Sequence, residues 1–258
     1  MIWGLSGKKQ VGKDLIANII KYFVFKQKHP DAWATESFLE FQHHRLSYTN
    51  TGWAIVKFAD KLKDIVCLIL GCTREQLEDE IFKNTPLGKD WVRYKITYEE
   101  EVTTQVNAWS THTDLALRTI ITDDLEESLE YFKKYKVDYE LEEITLNPRQ
   151  IMQFLGTDFG RNMIHPSIWI NSTMANYTKT SNWIISDVRF PGEVKAIHDK
   201  KGIVIRINRP SIISTDQHES ETALDDYDNF DYVIENVGDI PELIEKVKDI
   251  LILEGIIN

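Results

Sequence analysis

The sequence predicts an α/β fold in three layers, with a central parallel sheet and helices on both faces. Three observations predict it. A short apolar strand, "MIWGLSG", runs straight into a glycine-rich loop and then an amphipathic helix. Further apolar runs, "AIVKFAD", "NWIISDVRF", "GIVIRINRP" and "DYVIEN", alternate with helical patterns. Those runs are rich in β-branched residues and nearly continuous, as strands buried on both faces are.

Each element follows in order. After the loop, Leu15, Ile16, Ile19, Ile20, Phe23 and Val24 recur at helical spacing. Residues 28–54 are mixed and aromatic and read as loops with local structure. "KLKDIVCLILG" predicts a helix after the second strand. "TREQLEDEIF" opens on Thr73 as the N-cap of a capping box whose second member is read as a Glu. Residues 88–146 are acidic, with one β segment around "RYKITYEEEVTTQV" and an exposed helix over "DDLEESLEYFKKY". They read as an inserted, mostly helical, lid-like subdomain. Pro148 starts a helix with Ile151, Leu155 and Phe159 on one face. "IPELIEKVKDILIL" is a last helix with Leu243, Ile244, Val247, Ile250 and Leu251 inward. The expected organisation is one domain over 1–258, with an insertion at about 88–147.

Composition sets the bounds. A chain of 258 residues, 42% hydrophobic and 28% charged, has the balance of a soluble globular protein. No stretch approaches the roughly 20 apolar residues that span a bilayer. No basic region precedes "MIWGLSG", so no secretory leader is expected. Cys67 and Cys72 are the two cysteines, and they read as buried thiols in a reduced, cytosolic setting. Net charge is −11, which argues against a general nucleic-acid-binding surface. Between Tyr98 and Glu143 there are 13 acidic and 4 basic residues, so one segment holds most of the charge and a local cationic site fits elsewhere.

The loop "GLSGKKQVGKD" places Gly7, Gly12 and Lys13 in the spacing of a phosphate-binding loop, G-x-x-x-x-G-K. Backbone N–H groups in such a turn, at a helix N-terminus, cradle phosphate oxygens, and Lys13 reaches the terminal phosphates. Asp14 stands where a hydroxyl is usual. As a hard oxygen it suits Mg²⁺ lying between it and the phosphates; its other reading is a helix cap.

Asp187 and Arg189 end the strand "WIISDVRF", where parallel strands face a ligand crevice. Asp187 suits a metal or acceptor and Arg189 suits phosphate charge; the plainer reading is a surface pair. Arg149 and Gln153 share a helix face, and with Arg161 they suit a monophosphate clamp. Trp169 and Phe154 suit base stacking or plain core, and Lys61 suits an anion contact at a helix start. "HESET" reads as a polar loop, and His43 and His44 carry no assignment.

Together, "GLSGKKQVGKD", "FADKLKDIVCLILGCTREQLEDEIFKNTPLG", "RQIMQFLGTDFGR", "WIISDVRFPGE", "VIRINRP", "HESETALDD" and "FDYVIENVGDIPEL" stand in the order found in bacteriophage-type deoxynucleoside monophosphate kinases. The chain resembles these P-loop kinases over most of its length, excepting 28–54 and 90–146. Gly-Lys-Asp is a habit of that family. Leu15 departs from it, since Thr usually follows the Asp, and the acidic insertion leaves the acceptor's identity open.

The resemblance implies transfer of the ATP γ-phosphoryl group to a deoxynucleoside 5′-monophosphate. It makes Lys13, Asp187 and Arg189 catalytic, and gives Gly7, Gln10, Val11, Gly12, Lys13, Asp14, Arg206 and Asn236 to ATP. Lys61, Arg149, Gln153, Phe154, Arg161 and Trp169 fall to the acceptor, and Asp14 and Asp187 to Mg²⁺. Residues 206–222 become a lid in which Arg206, Arg209 or His218 closes over phosphates. The implied partners are ATP and a deoxynucleotide, with no nucleic acid and no membrane, and a homodimer stays open. The setting is cytoplasmic, that of the host if the gene is a phage's. A dephospho-coenzyme A or nucleoside kinase is the nearest alternative; a P-loop ATPase without kinase activity and a non-catalytic nucleotide-binding protein are further ones.

Overall fold

A computed structural model describes residues 1–30, 37–44, 50–107, 110–122, 124–212 and 218–258. The chain begins with β1 (Ile2–Ser6), α1 (Lys13–Lys28), α2 (Phe38–His44), β2 (Trp53–Val56) and α3 (Asp60–Leu70). Next come α4 (Arg74–Glu78), α5 (Glu80–Asn84), β3 (Val92–Asn107), β4 (Ser110–Thr122), α6 (Leu125–Tyr135), β5 (Tyr139–Thr145) and α7 (Pro148–Gln153). A π-helical segment, Phe154–Ile164, leads to α8 (Ile168–Met174), β6 (Asn182–Val188), α9 (Pro191–His198) and β7 (Ile203–Asn208). The last elements are α10 (Glu219–Thr222), β8 (Tyr232–Glu235) and α11 (Ile240–Leu253). Two compact units result, Met1–Leu62 with Gly156–Asn258, and Lys63–Leu155. Among the described residues no helix is long and apolar enough to cross a membrane.

The first unit is the predicted parallel sheet, in the order β2-β6-β1-β7-β8. β1 lies at its centre and all five of its residues are buried. Because side chains alternate along a strand, Trp3 and Leu5 enter one core with Ile16, Ile19, Ile20, Phe25, Val247 and Leu251 from α1 and α11. Ile2 enters the opposite core with Ile170, Val194 and Ile197 from α8 and α9. Gly4 lies on that second face, where an added Cβ would come within 2.6 Å of Ile197 Cδ1. Helices therefore cover both faces, as the continuous apolar runs require.

Within the second unit, the segment 88–147 corrects the expectation of a mostly helical insertion. It is built on an antiparallel sheet, β4-β3-β5, with Tyr94 opposite Thr122 and Tyr98 opposite Tyr139. The strands carry 16, 13 and 7 residues against 11 in α6. The many carboxylates suggest helix, but Tyr, Thr, Val and Ile between them favour a pleated surface. Cross-strand pairs then absorb part of the charge: Arg118 meets Glu100 and Lys95 meets Glu142, each at 3.0 Å. Ile96 and Phe132 are buried beneath, with the Phe132 ring 5.0 Å from Tyr98 and 5.1 Å from Tyr139.

Smaller differences have local causes. The second member of the Thr73 capping box is Gln76, not a Glu, and Asp79 ends that helix and caps the next through Phe82 N–H. Ile151 is buried as expected, but Phe159 is 41% exposed. The π winding from Phe154 onward carries the stripe off its 3.6-residue period. Cys67 and Cys72 are free thiols, but half-buried rather than buried. Within 28–54, residues 31–36 and 45–49 lie outside the described residues.

Candidate active site

The loop after β1 is held in backbone conformations that select its glycines. Gly7 has φ +150° and Gly12 φ +106°, and Gln10 is also left-handed at φ 65°. A Cβ on Gly7 would lie 2.5 Å from the Ile207 carbonyl oxygen. Gly12 is the N-cap of α1 and, as a glycine, makes no side-chain capping bond. Amides of the first turn are thus left for an anion. Asp14 lies in the first turn of α1, where a carboxylate also suits the positive end of the helix. It is 74% exposed and 3.4 Å from Lys57 Nζ.

Lys13 turns back onto its own loop, donating to the carbonyls of Gly7 and Lys8 at 2.6 Å each. Burial, then the nearby Arg189 charge, lowers its ammonium to about 8, while Glu221, Asp14 and Asp187 oppose the shift.

The adjacent strands bring other charges to the same sheet edge. Ser6 is the register partner of Val188 in β6 and of Arg206 in β7. Asp187 accepts from Phe58 N–H at 2.8 Å and Ala59 N–H at 3.0 Å, one bond to each carboxylate oxygen. Burial raises its pKa against those two bonds and the Arg189 charge. Arg189 pairs with the Glu221 carboxylate and reaches the Ser220 carbonyl at 3.5 Å. Asp187 and Arg189 therefore each have other partners, and a plain surface pair does not describe them.

Behind them lies Glu193, 1% exposed, which the sequence reading missed. It accepts from Arg161 at 2.6 Å and from the backbone N–H of Arg189 at 2.7 Å. Burial pushes its carboxyl up to about 7, opposed by Arg161. The Arg161 guanidinium also lies 3.7 Å above the Phe190 ring. Arg161 is therefore anchored rather than loose. The signal for Glu193 was present in "FPGE", a Pro at the helix start with a Glu two residues on.

Three further expectations change. Trp169 is 7% exposed and its indole N–H donates to the Gly156 carbonyl at 2.7 Å, the surroundings of a core residue. Arg206 belongs to β7, not a lid; it donates to Ser6 Oγ at 3.1 Å and lies 5.5 Å from the Phe230 ring centre. Asn236 is buried, and its side-chain N–H donates to the Val11 carbonyl at 2.8 Å. Of the expected lid, 213–217 lie outside the described residues and Glu219–Thr222 form α10, which His218 caps. Lys8, also unforeseen, donates to the Glu221 carbonyl and to Asp225, both at 2.6 Å.

Lys61 is exposed in the first turn of α3. In the second unit, Arg149 donates to Glu80 at 2.9 Å and Asn84 at 3.0 Å, Gln153 is half-buried and Phe154 is 55% exposed. Among the described residues no cluster of three His, Cys, Asp or Glu could hold a metal by itself. The residues do fit an ion carried mainly by phosphate oxygens, since Mg²⁺ usually takes one or two carboxylates, waters and phosphates.

A family model described as deoxynucleotide monophosphate kinase matches residues 1–247. The chain is 31% identical over 114 residues to a putative deoxynucleotide monophosphate kinase of Acanthamoeba polyphaga mimivirus, covering 39% of this chain and 58% of that protein. It is 33% identical over 108 residues to the deoxynucleotide monophosphate kinase of Enterobacteria phage T4, covering 40% and 44%. It is 24% identical over 212 residues to the deoxynucleoside-5′-monophosphate kinase of Escherichia phage T5, covering 76% and 71%. In the first two the match spans about half the length of the relative.

Proposed function

Since the chain belongs to the deoxynucleotide monophosphate kinase family, we propose that it transfers the ATP γ-phosphoryl group to a deoxynucleoside 5′-monophosphate. The products are a deoxynucleoside diphosphate and ADP. The observation that carries this reading is the sheet edge at Ser6, where the Lys13 loop, Asp187 and Arg206 meet on three neighbouring parallel strands. An acceptor phosphate oxygen forms the new bond to the γ-phosphorus as the bond to the β–γ bridging oxygen breaks. No covalent enzyme intermediate is needed, so positioning and charge neutralisation do the work.

In this scheme Gly7, Gln10, Val11 and Gly12 hold the phosphates through the loop backbone. Lys13 leaves the loop carbonyls for phosphate oxygens. Arg189 neutralises charge on the transferring group, and Arg206 supports the loop through Ser6. Asp187 orders the turn at Phe58 and Ala59 and faces the reacting centre. Mg²⁺ on the nucleotide phosphates would supply further charge neutralisation, with Asp14 as the exposed protein oxygen and Asp187 as a second. In the first unit Lys61 is an acceptor-side candidate and Arg161 acts from its anchored position; taken by itself, the second unit carries Arg149, Gln153 and Phe154 as candidates of the same class. The reaction belongs in a cytoplasm, where both nucleotides are found.

ADP release from Mg-ATP, followed against deoxynucleoside and ribonucleoside monophosphates, dephospho-coenzyme A and DNA, tests the proposal. Turnover with one or a few deoxynucleotides is the expected result. Silence across the panel with ATP still bound would overturn it.

A further inference from the structure

Glu221 has no place in the scheme above, yet it lies among the site's cations. Its carboxylate is only 9% exposed and pairs with Arg189. Its carbonyl receives the Lys8 ammonium at 2.6 Å, and Lys8 is itself a residue of the phosphate loop. The Ser220 carbonyl adds a second contact to the same guanidinium. Of the carboxylates whose charge acts on Lys13, Glu221 acts most strongly, ahead of Asp14 and Asp187. A side chain that exists to stabilise α10 would not need this position, because that four-residue helix is capped by His218.

We propose that Glu221 is an internal stand-in for the terminal phosphate, which holds Arg189 until a nucleoside triphosphate displaces it. The inference rests on Arg189 receiving the γ-phosphate, as proposed above. A diphosphate ends at the β-position and leaves the Glu221–Arg189 pair intact. A triphosphate brings its own anion to Arg189, and the two negative groups cannot share one cation in a half-buried site without repulsion. As the phosphoryl group leaves for the acceptor, Glu221 returns to Arg189. The residue is thus a specificity element that sets the relative affinity for ATP and ADP.

The test is equilibrium binding of Mg-ATP and Mg-ADP to the full chain and to Glu221→Gln, without acceptor. With the competing charge removed, affinity for ATP relative to ADP should rise by about five-fold or more. Glu221→Asp keeps the charge and should stay near the wild-type ratio. Glu221→Ala gives the same reading as the Gln variant should that one unfold. Restoration of the wild-type ratio by Glu221→Asp, which keeps the charge, separates this from a merely structural role. An unchanged or lowered ATP-to-ADP ratio in a folded neutral variant would overturn the proposal. Because no acceptor is present, the result is independent of the monophosphate panel, whose failure would count only against the kinase reading.

Discussion

Asn236 donates its side-chain amide to the carbonyl of Val11 at 2.8 Å, a buried bond that ties the end of β8 to the phosphate loop. The same amide nitrogen lies where a Cβ on Gly12 would approach to 3.0 Å. The loop is therefore shaped from outside as well as by its own glycines. Asn236→Ala should cost about 1–2 kcal/mol in urea unfolding and raise the KM for ATP. Unchanged stability with altered choice between ATP and GTP would instead return Asn236 to a donor-base role.

Lys13 gives the pH dependence. Its ammonium is held down to about 8 by burial, so it is charged below that pH and neutral above it. ATP kcat/KM reports the free enzyme and should fall above about pH 8 with a one-proton dependence. Lys13→Arg should move that fall out of the accessible range. Lys13→Ala should lose on the order of a hundred-fold or more in transfer at all pH values. Near-normal transfer by Lys13→Ala would remove the residue from the mechanism.

Asp14 and Asp187 should part company under the same substitution. Asp187 satisfies two backbone N–H groups, and an Asn there sets an amide against one of them. Asp187→Asn should cost about 1–3 kcal/mol of stability and most of the transfer rate. Asp14 is 74% exposed, so Asp14→Asn should change stability by less than about 0.5 kcal/mol. Its effect should fall on the Mg²⁺ concentration needed for half-maximal rate, and an unchanged requirement would end the metal assignment.

Glu193 predicts a stability change with pH. Its carboxyl is raised from 4.5 to about 7 in the fold, so the native state holds a proton that the unfolded chain has lost between those values. The corresponding stability is present below about 4.5 and disappears as pH rises through about 7. Glu193→Gln lacks this titration. The stability of the wild type relative to the variant should therefore fall, by on the order of 1–3 kcal/mol, between pH 4.5 and 7.5. A pH-independent difference would show that Arg161 keeps Glu193 ionised throughout.

Much of the first unit was legible in the sequence. Buried parallel strands are apolar on both faces, so "IWGLS", "NWIISDV" and "IVIRIN" announce themselves without any partner in view. The loop was legible for a similar reason, since left-handed backbone at Gly7 and Gly12 admits few other residues. The insertion was misread because its carboxylates masked the alternation of Tyr, Thr and Ile in β3 and β4. The packing of Trp169 in the core and the place of Arg206 on β7 were not legible, because residue type does not say which way a side chain points. Glu193 and Glu221 went unforeseen because their importance lies in contacts across 32 residues, from Arg161 to Glu193 and from Arg189 to Glu221.

The place of β1 at the centre of the sheet bears on how the protein is made. Ile2 is paired with Trp183, and Trp3 with Ile203. The strand that carries the loop thus leaves the ribosome well before either neighbour exists. At about 5–20 residues per second, that interval is on the order of ten to forty seconds. During it a fully apolar strand and the inward face of α1 have no sheet to join. The intervening unit, whose antiparallel strands are close in sequence, can form in the meantime. Synthesis therefore delivers the β-rich insertion first and the nucleotide loop last, and chaperone demand should concentrate on the nascent chain before β6 emerges.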